Sequence, residues 1–141
     1  MTTRASGILK DHWTIPSDVK AARDIGRSIM DAVARLGYSE RLSFAIRLAL
    51  EEGLVNAIHH GNRHDPDKHV EVEFVGNRKQ IQITITDQGQ GFDPAGVPDP
   101  TADENLEKPT GRGIMLMHAY MDEVHYASRG RQVVMKKLNR D

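Results

Sequence analysis

Alternating apolar and polar positions in the middle of the chain predict a β-hairpin. Positions 70, 72 and 74 are Val, Val and Phe with charged residues between them, and positions 81, 83 and 85 are isoleucines separated by polar residues. Successive side chains of a strand point to opposite faces, so a period of two gives each strand one apolar face. The Gly76-Asn77 pair between the two series is typical of a hairpin turn.

Two helices are predicted before this hairpin. Ser17 is expected to cap the N-terminus of the first helix, which continues to about Leu36. The second helix begins at Ser39 or Glu40 and runs to about Gly61, because its apolar residues recur at intervals of three and four. Each helix therefore carries one apolar stripe with which to cover a sheet.

Further strands are expected at both ends of the chain. Residues 8–15 form a first strand, and residues 123–127 and 131–138 form a last hairpin that turns at Arg129-Gly130. The strands gather into hairpins instead of alternating one by one with helices. This order predicts an α+β fold.

Composition adds limits to this picture. The 141 residues suffice for one domain, expected to span residues 1–141. Lys and Arg total 19 against 20 for Asp and Glu, which gives no basic field for direct nucleic-acid binding, and there is no cysteine for a disulfide or thiolate site. The sequence contains no run of about 18 apolar residues, which is the length that would indicate a membrane span. A soluble, cytoplasmic protein is the expectation.

Candidate chemistry begins on the second helix, in EEGLVNAIHHGN at residues 51–62. At about 100° per residue, Glu52 and Asn56 lie one turn apart on the side away from the apolar stripe. A solvated face would explain them, but Leu48 and Val55 lie on the same side, which suggests that something covers it. Asn56 could then supply an oxygen ligand to Mg²⁺, and Glu52 could act as a base or orient a water.

A second motif, DQGQGF, follows the predicted hairpin. Two more residues of alternation after Ile85 place Asp87 on the inward side of its strand, where a carboxylate needs donors. One interpretation is an Asp that accepts hydrogen bonds from the turn that follows it. The other is that Asp87 binds the amino group of adenine, while Gly89 and Gly91 let the backbone pass close to the nucleotide.

A third motif, TGRGIMLM, stands at residues 110–117 and is expected to open a helix at about Gly111. Gly111 and Gly113 would expose backbone N–H groups to phosphate at the helix N-terminus. The pattern is neither a Walker loop nor a dinucleotide-binding fingerprint. His60 and His64 are not expected to converge on zinc, because Gly61 breaks the helical register.

Taken in order, the three motifs resemble the Bergerat-type ATP-binding fold of histidine kinases, gyrase and MutL. More narrowly, IPSDVKAARDIGRSI, NAIHHGN and GRGIMLMHAYMDEV make the chain similar to bacterial anti-sigma factors that are also serine protein kinases. The resemblance covers about residues 8–138. It implies a two-layer sandwich of helices on a mixed β-sheet, with ATP and Mg²⁺ held between the helices and a lid at about residues 93–110.

The resemblance also implies roles for individual residues. Asn56 would ligate Mg²⁺, Glu52 would activate the acceptor hydroxyl, and Asp87 would contact adenine. The other residues that would bind the nucleotide are Gly89, Gly91, Thr110, Gly111, Arg112 and Gly113. One departure from the family is that Gly130 is followed by Arg131 and Gln132 where many members carry a Thr that supports adenine through water.

Three functional hypotheses follow. The first is an ATP-dependent serine/threonine protein kinase that phosphorylates an anti-sigma factor antagonist protein and also binds a sigma factor. The second is a module that uses ATP only to gate the sequestration of a partner. The third is an α+β scaffold whose glycines are turns. The agreement of the three motifs favours the first two. Related anti-sigma factors are commonly dimers, which makes a homodimer one option for the oligomeric state. Glu52 favours the kinase, since binding alone does not need that carboxylate.

Overall fold

Helices pack on one face of a six-stranded β-sheet in this computed structural model, which describes residues 3–5, 7–89 and 117–140. The strands are β1 (Thr3–Ala5), β2 (Ile8–Pro16), β3 (His69–Gly76), β4 (Gln80–Thr86), β5 (Glu123–Ala127) and β6 (Gln132–Leu138). The helices are α1 (Val19–Arg35) and α2 (Glu40–Val55), and α2 continues into a π-helical turn, Asn56–Gly61. Residues 117–120 are also helical.

The predicted fold class, an α+β sandwich of two layers, is confirmed. The strand order is β1-β2-β3-β4-β6-β5, and every described pairing is antiparallel, so the expectation of a mixed sheet is wrong for these strands. The reason lies in the connections. Two helices between β2 and β3 bring the chain back in the opposite direction, and β6 enters between β4 and β5.

The apolar alternation of the central hairpin forms the floor of the core. Val72 lies opposite Trp13 of β2 on one side and opposite Ile85 of β4 on the other. The inward residues of β3 and β4 are exposed by no more than 1%: Val70, Val72, Phe74, Ile81, Ile83 and Ile85. Burying a side chain of this kind contributes about 1.5–3 kcal/mol. The predicted hairpin is therefore the centre of the sheet and of the hydrophobic core.

The start of α1 differs from the prediction by one residue. Asp18, not Ser17, is the N-cap, and its carboxylate accepts a hydrogen bond from the backbone N–H of Lys20 at 3.1 Å. The hydroxyl of Ser17 donates instead to the carbonyl of Lys68 at 2.9 Å. Ser and Asp both cap helices well. Here the Ser17 hydroxyl is engaged by the Lys68 carbonyl, far along the chain, and Asp18 is the cap.

The start of α2 agrees with the sequence. Ser39 is its N-cap and accepts from the N–H of Leu42 at 3.2 Å. Gly37, which ends the preceding helix, has φ of +86°, a left-handed conformation that glycine adopts without strain. The third predicted helix lies mostly outside the described residues.

Candidate functional site

Glu52 and Asn56 lie where α2 packs closely against the sheet. Gly53, the residue after Glu52, is buried, and a Cβ at this position would be 2.7 Å from Ile85 Cδ1 and 3.3 Å from Met135 Cε. The helix therefore comes close to β4 and β6 at this point, and Glu52 and Asn56 on either side of Gly53 are half-buried. The helix face that carries Glu52 and Asn56 is thus only partly open to solvent.

The nitrogen of the Asn56 side-chain amide is buried and unpaired within the described part of the chain. Its Nδ2 is inaccessible to solvent and has no hydrogen-bond partner among the described residues. Buried polar atoms are nearly always paired, so an orphaned amide is a candidate contact for a bound group. Turning the amide by 180° exchanges its nitrogen and oxygen, and the same position could then present Oδ1 to a cation. The environment of Asn56 therefore fits a Mg²⁺ ligand.

Asp87 follows directly after β4 and is half-buried. Its backbone N–H donates to the carbonyl of Arg131 at 2.9 Å, and its Oδ1 accepts from the N–H of Gly89 at 2.8 Å. The hydrogen bond from the following turn, one of the two interpretations of this residue, is therefore present. A carboxylate can accept about four hydrogen bonds, so this one does not exclude a ligand.

The electrostatics of Asp87 are those of a desolvated acceptor. Burial is the largest influence and raises the pKa of the carboxyl, while the Gly89 N–H and the charges of Arg131 and Lys68 oppose that rise. An ionised carboxylate in this place is poorly hydrated and gains from an additional donor. It can therefore discriminate between a ligand that offers an N–H and one that offers an oxygen.

Gly61 brings the first two motifs together. A Cβ on Gly61 would lie 2.7 Å from Asp87 Oδ1 and still nearer to Asp87 Cγ, and a Cβ on Gly89 would lie 2.6 Å from the carbonyl carbon of Gly61. The end of the π-helical turn thus packs directly on the turn after Asp87, and both surfaces need glycine. π-helical turns occur often at functional sites. The sequence pattern at Gly61 predicts only the end of a helix.

Asn62 is a second residue whose place in the site was missed. It is only 1% exposed, and its Oδ1 accepts from the N–H of Gln88 at 2.7 Å, next to Asp87. Gln132, the second residue after Gly130, donates through Nε2 to Thr86 Oγ1 at 3.0 Å. Both contacts join residues far apart along the chain, and no local pattern signals them.

Histidines near the site form a pair that differs from the one considered in the sequence. His59 Nδ1 and His64 Nε2 are 2.6 Å apart on the surface, while burial and the neighbouring His59 lower the pKa of His60. Among the described residues, no group of three or more His, Cys, Asp or Glu side chains is placed to hold a metal ion.

The phosphate half of the predicted site falls outside the described residues. This applies to Gly91, Thr110, Gly111, Arg112, Gly113 and the lid at about 93–110. Glu52, Asn56, Asp87 and Gly89 are described, and the contacts of Gly53 with Ile85 and of Gly61 with Asp87 bring their two segments together at the end of β4.

Comparison with known proteins supplies the family. A model of the histidine kinase-like ATPase domain matches residues 15–137, which is most of the chain. The chain belongs to the histidine kinase-like ATPase domain family.

Curated relatives in this ATPase family carry related names. Serine-protein kinase RsbW of Listeria monocytogenes is 26% identical over 121 residues, covering 80% of this chain and 77% of the relative. RsbW of Bacillus subtilis is 25% identical over 132 residues, covering 87% and 81%. The anti-sigma F factor of Oceanobacillus iheyensis is 34% identical over 98 residues, covering 65% and 66%. The resemblance to anti-sigma factors and serine protein kinases is thereby confirmed at the level of the family.

A solved structure supports the fold. The crystal structure of the RsbU and RsbW domains of a Mycobacterium tuberculosis protein matches with a TM-score of 0.60 at 18% identity. The match covers 94% of this chain and 33% of that longer chain. Within the part of the chain that the structure describes, no helix is long and apolar enough to cross a bilayer.

Proposed function

We propose that this chain is a cytoplasmic serine/threonine protein kinase that uses ATP and Mg²⁺, phosphorylates an anti-sigma factor antagonist and binds a sigma factor. The observation that carries the proposal is the Asp87 carboxylate, held half-buried against Gly61 and Gly89 at the end of β4. Membership of the ATPase family supports ATP as the substrate. The names of the curated relatives support the kinase activity and the two kinds of partner.

Asp87 is the proposed contact with the base. Adenine offers an amino group to this desolvated carboxylate, whereas guanine offers a carbonyl oxygen at the same position and leaves the carboxylate repelled and unpaired. Calorimetry should therefore show tight binding of ATP and ADP and much weaker binding of GTP. Equal affinities for ATP and GTP would remove Asp87 from this role.

Asn56 and Glu52 are the proposed residues of phosphoryl transfer. Asn56 would hold Mg²⁺ through its amide oxygen, and the ion, when bound, neutralises charge on the phosphates. Glu52 would accept the proton of the Ser or Thr hydroxyl as that oxygen bonds to the γ-phosphorus. The bond from the γ-phosphorus to the β-phosphate oxygen breaks, and ADP leaves.

Contacts with the rest of the nucleotide are proposed for glycines and their neighbours. Gly89 lies in the turn after Asp87. The remaining residues proposed to bind the nucleotide are Gly91, Thr110, Gly111, Arg112 and Gly113.

Two substitutions separate ligand binding from chemistry. Asn56→Ala should weaken binding of Mg-ATP, whereas Glu52→Gln should leave binding nearly unchanged and slow phosphotransfer by about 10²-fold or more. Glu51→Gln is the matched control, because it makes the same chemical change at the neighbouring, exposed position and should leave both quantities unchanged. Equal losses of binding for Glu52→Gln and Asn56→Ala would show that Glu52 is structural.

The kinase assay needs the natural antagonist, which can be co-purified from the native host and identified by mass spectrometry. Incubation with labelled ATP should give phosphoserine or phosphothreonine on the antagonist in stoichiometric amounts. Tight, ATP-dependent complex formation with no phosphate transferred over hours would contradict the kinase and support a module that sequesters its partner.

A further inference from the structure

Asn62 uses its buried side chain to join three separate parts of the chain. Its Nδ2 donates to Ser17 Oγ at 2.9 Å and to the carbonyl of His69 at 2.9 Å, and its Oδ1 accepts from Gln88 N–H at 2.7 Å. The Ser17 hydroxyl in turn donates a hydrogen bond to the carbonyl of Lys68 at 2.9 Å. An asparagine amide has two donors and two acceptor positions, so three of the four are satisfied by protein. The amide is therefore fixed in one orientation.

Gln88, which this network holds, lies between Asp87 and Gly89, the two residues that shape the candidate base site. Gln88 N–H belongs to the peptide that joins Asp87 to Gln88, and the next N–H, that of Gly89, donates to Asp87 Oδ1. The backbone of Asp87 is held on its other side by the Arg131 carbonyl. Of these three hydrogen bonds, the one from the Gln88 N–H is accepted by a side chain from another segment of the chain.

A second contact of Gln88 holds the same turn. Gln88 Oε1 accepts from the N–H of His69 at 2.6 Å, while Asn62 Nδ2 donates to the carbonyl of His69. The start of β3 is thus linked both to Asn62 and to the turn after Asp87. Because Asn62 is buried beneath this turn, it acts on the site through Gln88.

We propose that Asn62 is a positioning residue that fixes the turn Asp87–Gly89 and thereby sets the preference of the site for adenine over guanine. This inference rests on the proposed function, because it assumes that Asp87 contacts the base. Loss of the Gln88 attachment would let the carboxylate move out of its place beside Gly61 and gain water. A hydrated, mobile carboxylate discriminates less well between an amino group and a carbonyl oxygen.

The test compares Asn62→Ala with Ser17→Ala in the full chain. Both variants remove hydrogen bonds from the same buried network, and both should lower the melting temperature. Asn62→Ala should also lower the ratio of GTP to ATP dissociation constants by about tenfold or more, since the loss of a hydrogen bond to a charged group corresponds to about tenfold to a hundredfold in affinity. Ser17→Ala keeps the Asn62–Gln88 hydrogen bond and should leave the ratio within about twofold of the wild type.

A measurement without nucleotide keeps the inference testable if Asn62→Ala does not fold. In the wild-type protein, hydrogen exchange followed by NMR should show strong protection of the Gln88 amide. Exchange as fast as that of an exposed loop would overturn the inference. In a folded Asn62→Ala protein, the Gly89 amide should exchange faster as well, whereas Ser17→Ala should leave it protected.

The outcomes separate this inference from the proposed function. If the wild-type protein binds ATP and GTP equally, the role of Asp87 fails and the inference fails with it. If the wild type prefers ATP and Asn62→Ala keeps the full preference, the function stands and the positioning role of Asn62 is refuted. A loss of melting temperature in Asn62→Ala with an unchanged preference would mean that Asn62 is structural only.

Discussion

The contact between Gly61 and Asp87 makes a strong prediction about a small substitution. In Gly61→Ala the new methyl group would lie 2.7 Å from Asp87 Oδ1 and nearer to Cγ. Ordinary contacts between such atoms begin about 3.5 Å apart, so the carboxylate or the turn that carries it must retreat by roughly 1 Å. Overpacking of this kind costs about 1–3 kcal/mol of stability.

The same substitution should also reduce nucleotide binding. A retreat of the Asp87 carboxylate breaks the proposed hydrogen bond to adenine, and a hydrogen bond to a charged group contributes about 1.5–3 kcal/mol. The expected loss of ATP affinity is therefore about tenfold to a hundredfold. Thermal unfolding measures the first effect, with a fall of several degrees in melting temperature, and calorimetry measures the second.

Gly26→Ala is the matched control for Gly61→Ala. Gly26 lies inside α1, and a Cβ there would meet nothing within 4 Å. The alanine should therefore stabilise the helix by up to about 1 kcal/mol and leave ATP binding unchanged. If Gly61→Ala were as stable as Gly26→Ala and bound ATP with the wild-type affinity, the close packing of Gly61 on Asp87 would be refuted.

Two further predictions concern protonation. Burial raises the pKa of Asp87, so the folded protein holds this proton more tightly than the unfolded chain, and stability is lost as the pH rises from about 4 through the raised pKa. In urea unfolding at pH 7, Asp87→Asn should therefore be more stable than the wild type, and this advantage should disappear near pH 3. The variant should also bind ATP no better than GTP. A wild type that is more stable than Asp87→Asn at pH 7 would contradict the prediction. Burial also raises the pKa of Tyr38 and of Tyr126 to about 12, so an ultraviolet titration of the folded protein should show two late phenolate steps, and their stabilisation should disappear as the pH rises from about 10 through 12. Tyr38→Phe should remove one late step, and a single step near pH 10 in the wild type would argue against burial of both rings.

Local pattern predicted much of the fold. The central hairpin, the cap of α2 at Ser39 and the last hairpin all lie within a residue or two of their expected positions, because alternation, capping and turn residues act over a few residues. β1 was not predicted, since three residues are too few to show a period. The lid and the phosphate-binding glycines stay predictions.

The candidate site was predictable only where its chemistry is carried by short motifs. Glu52, Asn56, Asp87 and Gly89 are predicted in this way. The role of Asn62 is not, because its hydrogen bonds reach Ser17 and Gln88, which are 45 and 26 residues away along the chain. Tertiary packing decides such contacts, just as the Lys68 carbonyl decides that Ser17 does not cap α1.

The π-helical turn at the end of α2 constrains how this segment can evolve. The N–H of Asn62 donates to the carbonyl of Ala57, five residues earlier, at 2.8 Å. Deletion of one residue between them would leave only the four-residue spacing of an α-helix, and the widened turn would close. Gly61 contacts Asp87 from this widened turn, so we expect the deletion to disturb that contact. Exposed positions such as His59 can change in identity, but the length of the segment is fixed, so insertions and deletions should be far more damaging here than substitutions.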